Sequence, residues 1–259
     1  MNLDSGLIMQ WIGEYVWALA RISGLMLSIA VYSGKTVPTR VRMLFSVAIT
    51  FVVVPVLPPV TGIELFSLEA ALVIAQQILI GAAAGFCTSL LLQTFVVAGQ
   101  VIAMQTSLGF ASMVDPINGQ NTPVVGQIYL LLATLLFLAV DGHGQLITLV
   151  VMSFETIPVG LTGLSVVSYQ SLAAWFSQIF FAALTMSISP IVAMLLVNFS
   201  FGVMTRAAPQ LNIFSIGFAV GMLFGLLILW LTIGGFMVHF NTQWENSRQL
   251  ACQILEVGC

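Results

Sequence analysis

The chain has 259 residues, 59% of them hydrophobic and only 6% charged, with a net charge of −3 and a mean hydropathy of +1.10. A soluble domain carries about 25% charged residues, so this composition excludes a water-soluble enzyme. It also excludes a nucleic-acid binder, because six Lys and Arg residues cannot build a basic stripe.

The first apolar run, Leu7 to Tyr32, is longer than a signal-peptide core and is preceded by Asp4 rather than by positive charge, so it is read as a retained segment. Glu14 and Arg21 lie seven apart in it, on one face but roughly 10 Å apart along a helix axis, too far for a direct pair. Glu14 sits beside Trp11, Tyr15 and Trp17, which read as an interfacial aromatic belt. Arg21 is deeper; an intramembrane charge is a functional candidate, and it is read as contacting a partner.

The second run, Val41 to Val56, is short and closed by Pro55, Pro58 and Pro59. The third, Leu68 to Ala103, would span roughly 50 Å as a helix, well past a hydrocarbon core of ~30 Å. It must bend, tilt or leave the membrane. It carries Gln76, Gln77, Gln93 and Gln100; the last two share a face, which is expected to meet another subunit or an aqueous path. "GAAAG" (Gly81 to Gly85) repeats glycine on one face and predicts close approach of another helix.

Between the third and fourth runs lies "MQTSLGFASMVDPINGQNTPVVGQ", from Met104 to Gln127. It mixes Phe110 and Met113 with Asp115, Asn118 and Gln120, punctuated by Gly109, Pro116, Gly119 and Pro123. Irregular backbone survives at membrane depth only where protein buries it or it lines a water-filled cavity. Composition leaves two placements open: a movable constriction, or a loop on the cytoplasmic surface.

The fourth run is Val124 to Val140, extending to Met152 if the helix resumes after "VDGHGQ". Asp141 and His143 are two apart and face different ways on a helix, so a helix break at Gly142 and Gly144 is the better reading than a metal site. The fifth run, Leu172 to Met204, should kink at Pro190. The sixth, Leu211 to Phe240, carries "GFAVGMLFG", with Gly217, Gly221 and Gly225 on one face. In the polar tail that follows, Thr242 and Glu245 have capping-box spacing and predict the start of a short helix. Cys87, Cys252 and Cys259 fit no metal spacing and no obvious disulfide, and are read as packing or surface residues. No nucleophile, phosphate-loop or metalloprotease motif is present, and no cofactor is expected.

The expected fold is all-α: about six long apolar helical segments in hairpins, an irregular mid-chain loop and no compact soluble domain. Lys35, Arg40 and Arg42, with Arg206, mark cytoplasmic loops, whereas Glu64, Glu69 and Glu155 lie in loops on the other side. Both ends of the chain are then expected outside, with only Arg248 on the wrong side.

Several motifs carry a specific resemblance. "TRAAPQLNIFSIGF" (Thr205 to Phe218) is similar to the signature of the FliR family, the R-type inner-membrane components of the bacterial flagellar type III export gate, and of their virulence-secretion relatives. "VPTRVR" (Val37 to Arg42), "QQILIGAAAGF" (Gln76 to Phe86), "GQVIAMQTSLGFASMVDP" (Gly99 to Pro116), "FLAVDGHGQLI" (Phe137 to Ile147) and "SFETIPVG" (Ser153 to Gly160) match in the same order. The resemblance covers nearly the whole chain. It implies a non-enzymatic, channel-forming subunit, present once in an assembly with P-type and Q-type membrane proteins and passing unfolded flagellar subunits from the cytoplasm. Residues 1–170 would be P-type-like, 171–241 a Q-type-like hairpin and 242–259 a polar tail. The loop over 109–121 would be a channel plug, watched through Gly109, Phe110, Met113, Asp115 and Pro116. The turn at Arg206, Pro209, Gln210 and Asn212 would contact neighbouring components, including the B-type switch protein. Gly81, Gly85, Gly217 and Gly221 would serve helix packing. The alternatives are the equivalent gate component of a virulence injectisome, a small-solute secondary transporter, and a scaffold without a pore-facing part.

Overall fold

The computed structural model describes residues 5–34, 37–60, 63, 65–110, 112–114, 121–207 and 213–259. Nine α-helices carry it among these residues: α1 (Ser5–Ser28), α2 (Ala30–Ser33), α3 (Thr39–Val53), α4 (Leu68–Gln105), α5 (Val124–Ala139), α6 (Gly142–Thr156), α7 (Val166–Ala207), α8 (Ile213–Thr232) and α9 (Phe236–Leu255). One small antiparallel ribbon, β1 (Ser112–Val114) with β2 (Asn121–Pro123), interrupts them. The architecture is all-α and of membrane type.

Four helical stretches among the described residues are long and apolar enough to cross a bilayer: Thr39–Val56, Leu68–Gln105, Val166–Met204 and Gly217–Leu255. A fifth is counted if α5 and α6, bent by 61° at their junction, form one span. The sequence reading counted about six such segments. The difference is α1, where Gln10, Glu14 and Arg21 interrupt the apolar run, and where one side is core: Trp17, Ile22, Leu25, Met26 and Ile29 are buried.

The chain divides into two compact units. The first holds residues 1–90, 137–175 and 245–259. Its centre is the crossing of α1 with the first half of α4, made possible by small residues on both sides. A Cβ added at Gly81 would run into the Arg21 carbonyl, one at Gly85 into Ser28, and one at Gly24 into the Ile78 carbonyl. Backbones this close can exchange hydrogen bonds with side chains: Ser89 Oγ donates to the Ser28 carbonyl at 3.1 Å, and the Ala30 amide donates to Thr88 Oγ1 at 3.0 Å. Trp17 packs with Ala70 and Val73, and Ala18 with Val54 and Phe154.

The second unit holds residues 91–136 and 176–244. Here α4 and α5 approach through a glycine pair, since a Cβ on Gly99 would lie 2.6 Å from the Gly126 Cα. Ser187 Oγ on α7 donates to the Ala98 carbonyl at 3.3 Å and to its own Ala183 carbonyl at 2.7 Å. Phe95 packs against Phe236 and Phe240 in tilted pairs, and Tyr129 meets Phe236 edge to face, at centroid distances of 5.1 to 5.9 Å. Pro190 lies inside α7, which runs on through it; its ring removes one helical donor and leaves the Met186 carbonyl without its usual partner.

Two sequence expectations are corrected at the C-terminal end. Helix α9 begins at Phe236, so Thr242 is interior, not a cap. Its hydroxyl donates back to the Val238 carbonyl at 3.0 Å, the usual fate of a mid-helix threonine. Cys252 and Cys259 are not independent packing or surface residues but are joined in a disulfide, with Cα atoms 6.0 Å apart. The reversal at Glu256 that brings them together is a tertiary detail which spacing does not announce. Cys87 is free and buried.

Candidate functional site

The mid-chain segment hangs between the two helices that meet at Gly99 and Gly126. Helix α4 ends at Gln105, and its exit is built locally. Thr106 Oγ1 donates to the Ile102 carbonyl at 2.9 Å, its amide bonds the same carbonyl at 3.0 Å, and Ser107 takes a left-handed backbone with φ 60°. A single 3-10 turn, Leu108–Phe110, follows. Gly109 is half-buried, and a Cβ there would stand 3.4 Å from the Ala103 carbonyl and the Met104 Cα.

Beyond the turn the chain doubles back. Ser112 pairs with Pro123, Met113 with Thr122 and Val114 with Asn121, and α5 begins at Val124. The segment read as irregular therefore has a regular stem. Pairing satisfies backbone amides of a short stretch that has neither a helical period nor lipid-compatible side chains. Asp115 and Pro116 lie outside the described residues. Thr106 also faces α8: a Cβ on Gly225 would sit 2.5 Å from Thr106 Cβ, while Gly221 has only Ser107 Oγ at 3.2 Å and the tip of Met194 at 4.0 Å near it. Of these two glycines the closer approach falls at Gly225. Gly217 is half-buried on the same helix.

The guanidinium of Arg21 makes three hydrogen bonds within the chain. Nε donates to Gln77 Oε1 at 2.7 Å, Nη1 to Ser153 Oγ at 2.9 Å, and Nη2 to the Ile157 carbonyl at 2.8 Å. The Phe154 ring lies 3.9 Å from the guanidinium carbon. Arg21 and Gln77 are both 0% exposed. One cation thus ties α1, α4 and the C-terminal end of α6, where carbonyls carry the negative end of the helix dipole. No carboxylate among the described residues pairs with it. The spacing of Gln77 and the "SFETIP" stretch, each a polar island in an apolar run, is the signal that could have located this clamp.

The other glutamines diverge. Gln76 donates to the Leu161 carbonyl at 2.7 Å, Gln93 is exposed and Gln100 is half-buried. At the α5–α6 break the residue that turns left-handed is Asp141 itself, φ 54°, while Gly142 makes room for the Phe137 ring. His143 Nε2 stands 3.4 Å from Asp141 Oδ1, a local contact across the break. Arg206 is exposed in the last turn of α7; Pro209, Gln210 and Asn212 lie outside the described residues.

Comparison with known proteins agrees with this architecture. Residues 12–247 match the family described as Bacterial export proteins, family 1. The flagellar biosynthetic protein FliR of Escherichia coli (strain K12) is 36% identical over 221 residues, covering 85% of this chain and 84% of that protein. The FliR of Pectobacterium carotovorum subsp. carotovorum is 33% identical over 90% of this chain and 89% of its own length. The FliR of Bacillus subtilis (strain 168) is 25% identical over 91% and 93%. With the match running from within α1 into α9, the chain belongs to the bacterial export proteins, family 1, the family of the flagellar biosynthetic protein FliR, and is an integral membrane component of the flagellar export apparatus.

Proposed function

We propose that this chain is a structural, channel-forming subunit of the flagellar type III protein export gate, with no enzymatic role. In this reading it assembles, as a single copy, with P-type and Q-type membrane proteins in the bacterial inner membrane, and unfolded flagellar subunits pass through the assembly. Residues 109–121 are the plug. The observation that carries the reading is the neck of that segment: α4 and α5, pinched together at Gly99 and Gly126, deliver a turn and a two-stranded stem of mixed apolar and polar residues. Such a hairpin suits neither lipid nor bulk water. An adaptable seal of Phe and Met side chains excludes ions and re-packs when a chain passes.

The outward surface supports a partnered state. Phe180, Phe181, Ile188, Leu196 and Phe199 on α7 and Trp230 on α8 are each at least 60% exposed in the chain alone. Lipid or neighbouring subunits must cover such a surface. The distribution of basic residues supports a cytoplasmic Arg206 turn, with Pro209, Gln210 and Asn212 available to the B-type switch protein, and both ends of the chain on the outer side. The relatives named above are all flagellar proteins, which favours flagellar use over an injectisome.

The test is deletion of residues 109–121 in the full chain, expressed with its gate partners. Assembly should persist while the membrane becomes leaky to ions and small solutes. A deletion that assembles, stays ion-tight and exports as before would show that the segment is only a connector.

A further inference from the structure

The last turn of α9 is closed by two devices that the export role does not use. The first is a backbone cap. Glu256 takes a left-handed conformation, φ 54°, and the Val257 amide bonds the Cys252 carbonyl at 3.0 Å. This is a Schellman turn with glutamate at the position where glycine is usual, because a Cβ is strained there. The second is the disulfide between Cys252 and Cys259. It closes over the strained residue, tying the chain after the turn to the helix before it.

The turn is also docked. Thr156 Oγ1 at the end of α6 donates to the Leu255 carbonyl at 2.7 Å, and Ser168 Oγ in the first turn of α7 donates to the Ile254 carbonyl at 3.4 Å. Further back, Ser247 Oγ donates to the Cys87 carbonyl on α4 at 3.2 Å. Ala251, Cys252, Ile254 and Leu255 are buried. Both cysteines lie beyond residue 247, where the family match stops.

We infer that Cys252 and Cys259 are oxidised by a disulfide-bearing oxidoreductase on the non-cytoplasmic side of the membrane, and that the bond staples the last turn of α9 onto the Thr156–Ser168 wall. The inference rests on the orientation proposed above, since disulfides persist in oxidising compartments and not in the cytosol. The exchange balances in two steps. The Cys259 thiolate attacks the oxidoreductase disulfide, forming a mixed disulfide and releasing one thiolate. The Cys252 thiolate then attacks the Cys259 sulfur, closing the intrachain bond and releasing the second. Two electrons pass to the oxidoreductase, and its two thiolates take up the two protons that the protein thiols lose. Cys259 is exposed whereas Cys252 is 3% exposed, so Cys259 is the entry point and the second step precedes docking of the turn.

The experiment uses the full chain in its own membrane, acid-quenched, denatured in detergent and treated with a polymer-linked maleimide that adds visible mass per thiol. One adduct is expected, from Cys87, and three after reduction. Cells lacking the oxidoreductase of that compartment should give three without reduction. Cys259→Ser should give two, and protease added from the outer side should remove the end of α9 several-fold faster than in the parent. Adding Glu256→Gly to Cys259→Ser should restore part of the resistance. Three adducts from the parent would overturn the bond, and unchanged proteolysis of Cys259→Ser would overturn the staple. An Arg206→Cys variant, labelled with an impermeant maleimide, reads the orientation separately. Free thiols with cytoplasmic labelling at 206 would sink this inference alone, whereas outer-face labelling at 206 would sink the orientation on which both readings depend.

Discussion

Replacing Arg21 with methionine keeps most of the stem that packs in the core and removes the charge and all donors. Two opposed effects then compete. Burying a cation with no carboxylate partner costs several kcal/mol, so its loss favours the variant. Against this, three hydrogen bonds from the guanidinium disappear. Ser153 keeps a partner, because its hydroxyl also donates to the Val150 carbonyl at 2.6 Å. Gln77 Oε1 and the Ile157 carbonyl lose the donors described here, and Gln77 Nε2 already lacks a partner. Each orphaned buried acceptor costs about 1–3 kcal/mol, and the contact with Phe154 forfeits about 2 kcal/mol more when desolvated. The relief from removing the charge offsets part of this, leaving Arg21→Met destabilised by roughly 2–4 kcal/mol. The double variant Arg21→Met, Gln77→Leu deletes one orphan along with its partner and should recover about 1–2 kcal/mol. Thermal melting of the detergent-solubilised gate, compared across parent, both singles and the double, gives the coupling. A methionine variant as stable as the parent would show that the guanidinium is a burden retained for another reason, and the clamp argument would fail.

At the α1–α4 crossing, Gly81→Ala should cost about 1–3 kcal/mol through overpacking, whereas Gly202→Ala, with nothing within 4 Å of the new Cβ, should be neutral or gain up to ~1 kcal/mol of helix propensity; yields of assembled complex in detergent separate them. On α8, Gly225→Ala should disturb assembly more than Gly221→Ala, because Thr106 Cβ is nearer than the movable Ser107 hydroxyl, and equal melting temperatures would contradict that. Asp141→Val should lose about 1–2 kcal/mol by forcing a β-branched residue into the left-handed region, and Asp141→Gly should not, as read by the stability of the purified assembly. Export assays on Arg206 and Pro209 substitutions should show secretion falling at unchanged protein level; parallel loss of both would mean that the turn serves folding.

Much of this protein is decided by its sequence. So few charges spread over such long apolar runs admit only a membrane-type helical chain, because lipid forces every backbone amide to bond within its own segment. The positions of α3, α4, α5 and α7 follow from that constraint, as does the end of α4 at Gln105, ahead of a stretch in which glycine, proline and short polar residues deny the period. Motif order located the family. What the sequence could not settle was which polar group finds which partner. Arg21 stood out as an intramembrane charge, but spacing did not say that Gln77 and Ser153, 56 and 132 residues away, would accept its hydrogen bonds. Glycine spacing marked a ridge, but which glycine meets a neighbour most closely depends on how two helices cross, and Gly225 comes closer to its neighbour than Gly221 does. The helix break was legible and its left-handed residue was not, since Asp141 holds the conformation that two neighbouring glycines could have taken. Two cysteines seven apart became a pair only because a left-handed Glu256 folds the chain back on α9. In each case the deciding quantity is a distance between residues remote in sequence or a single backbone angle, and periodicity along the chain encodes neither.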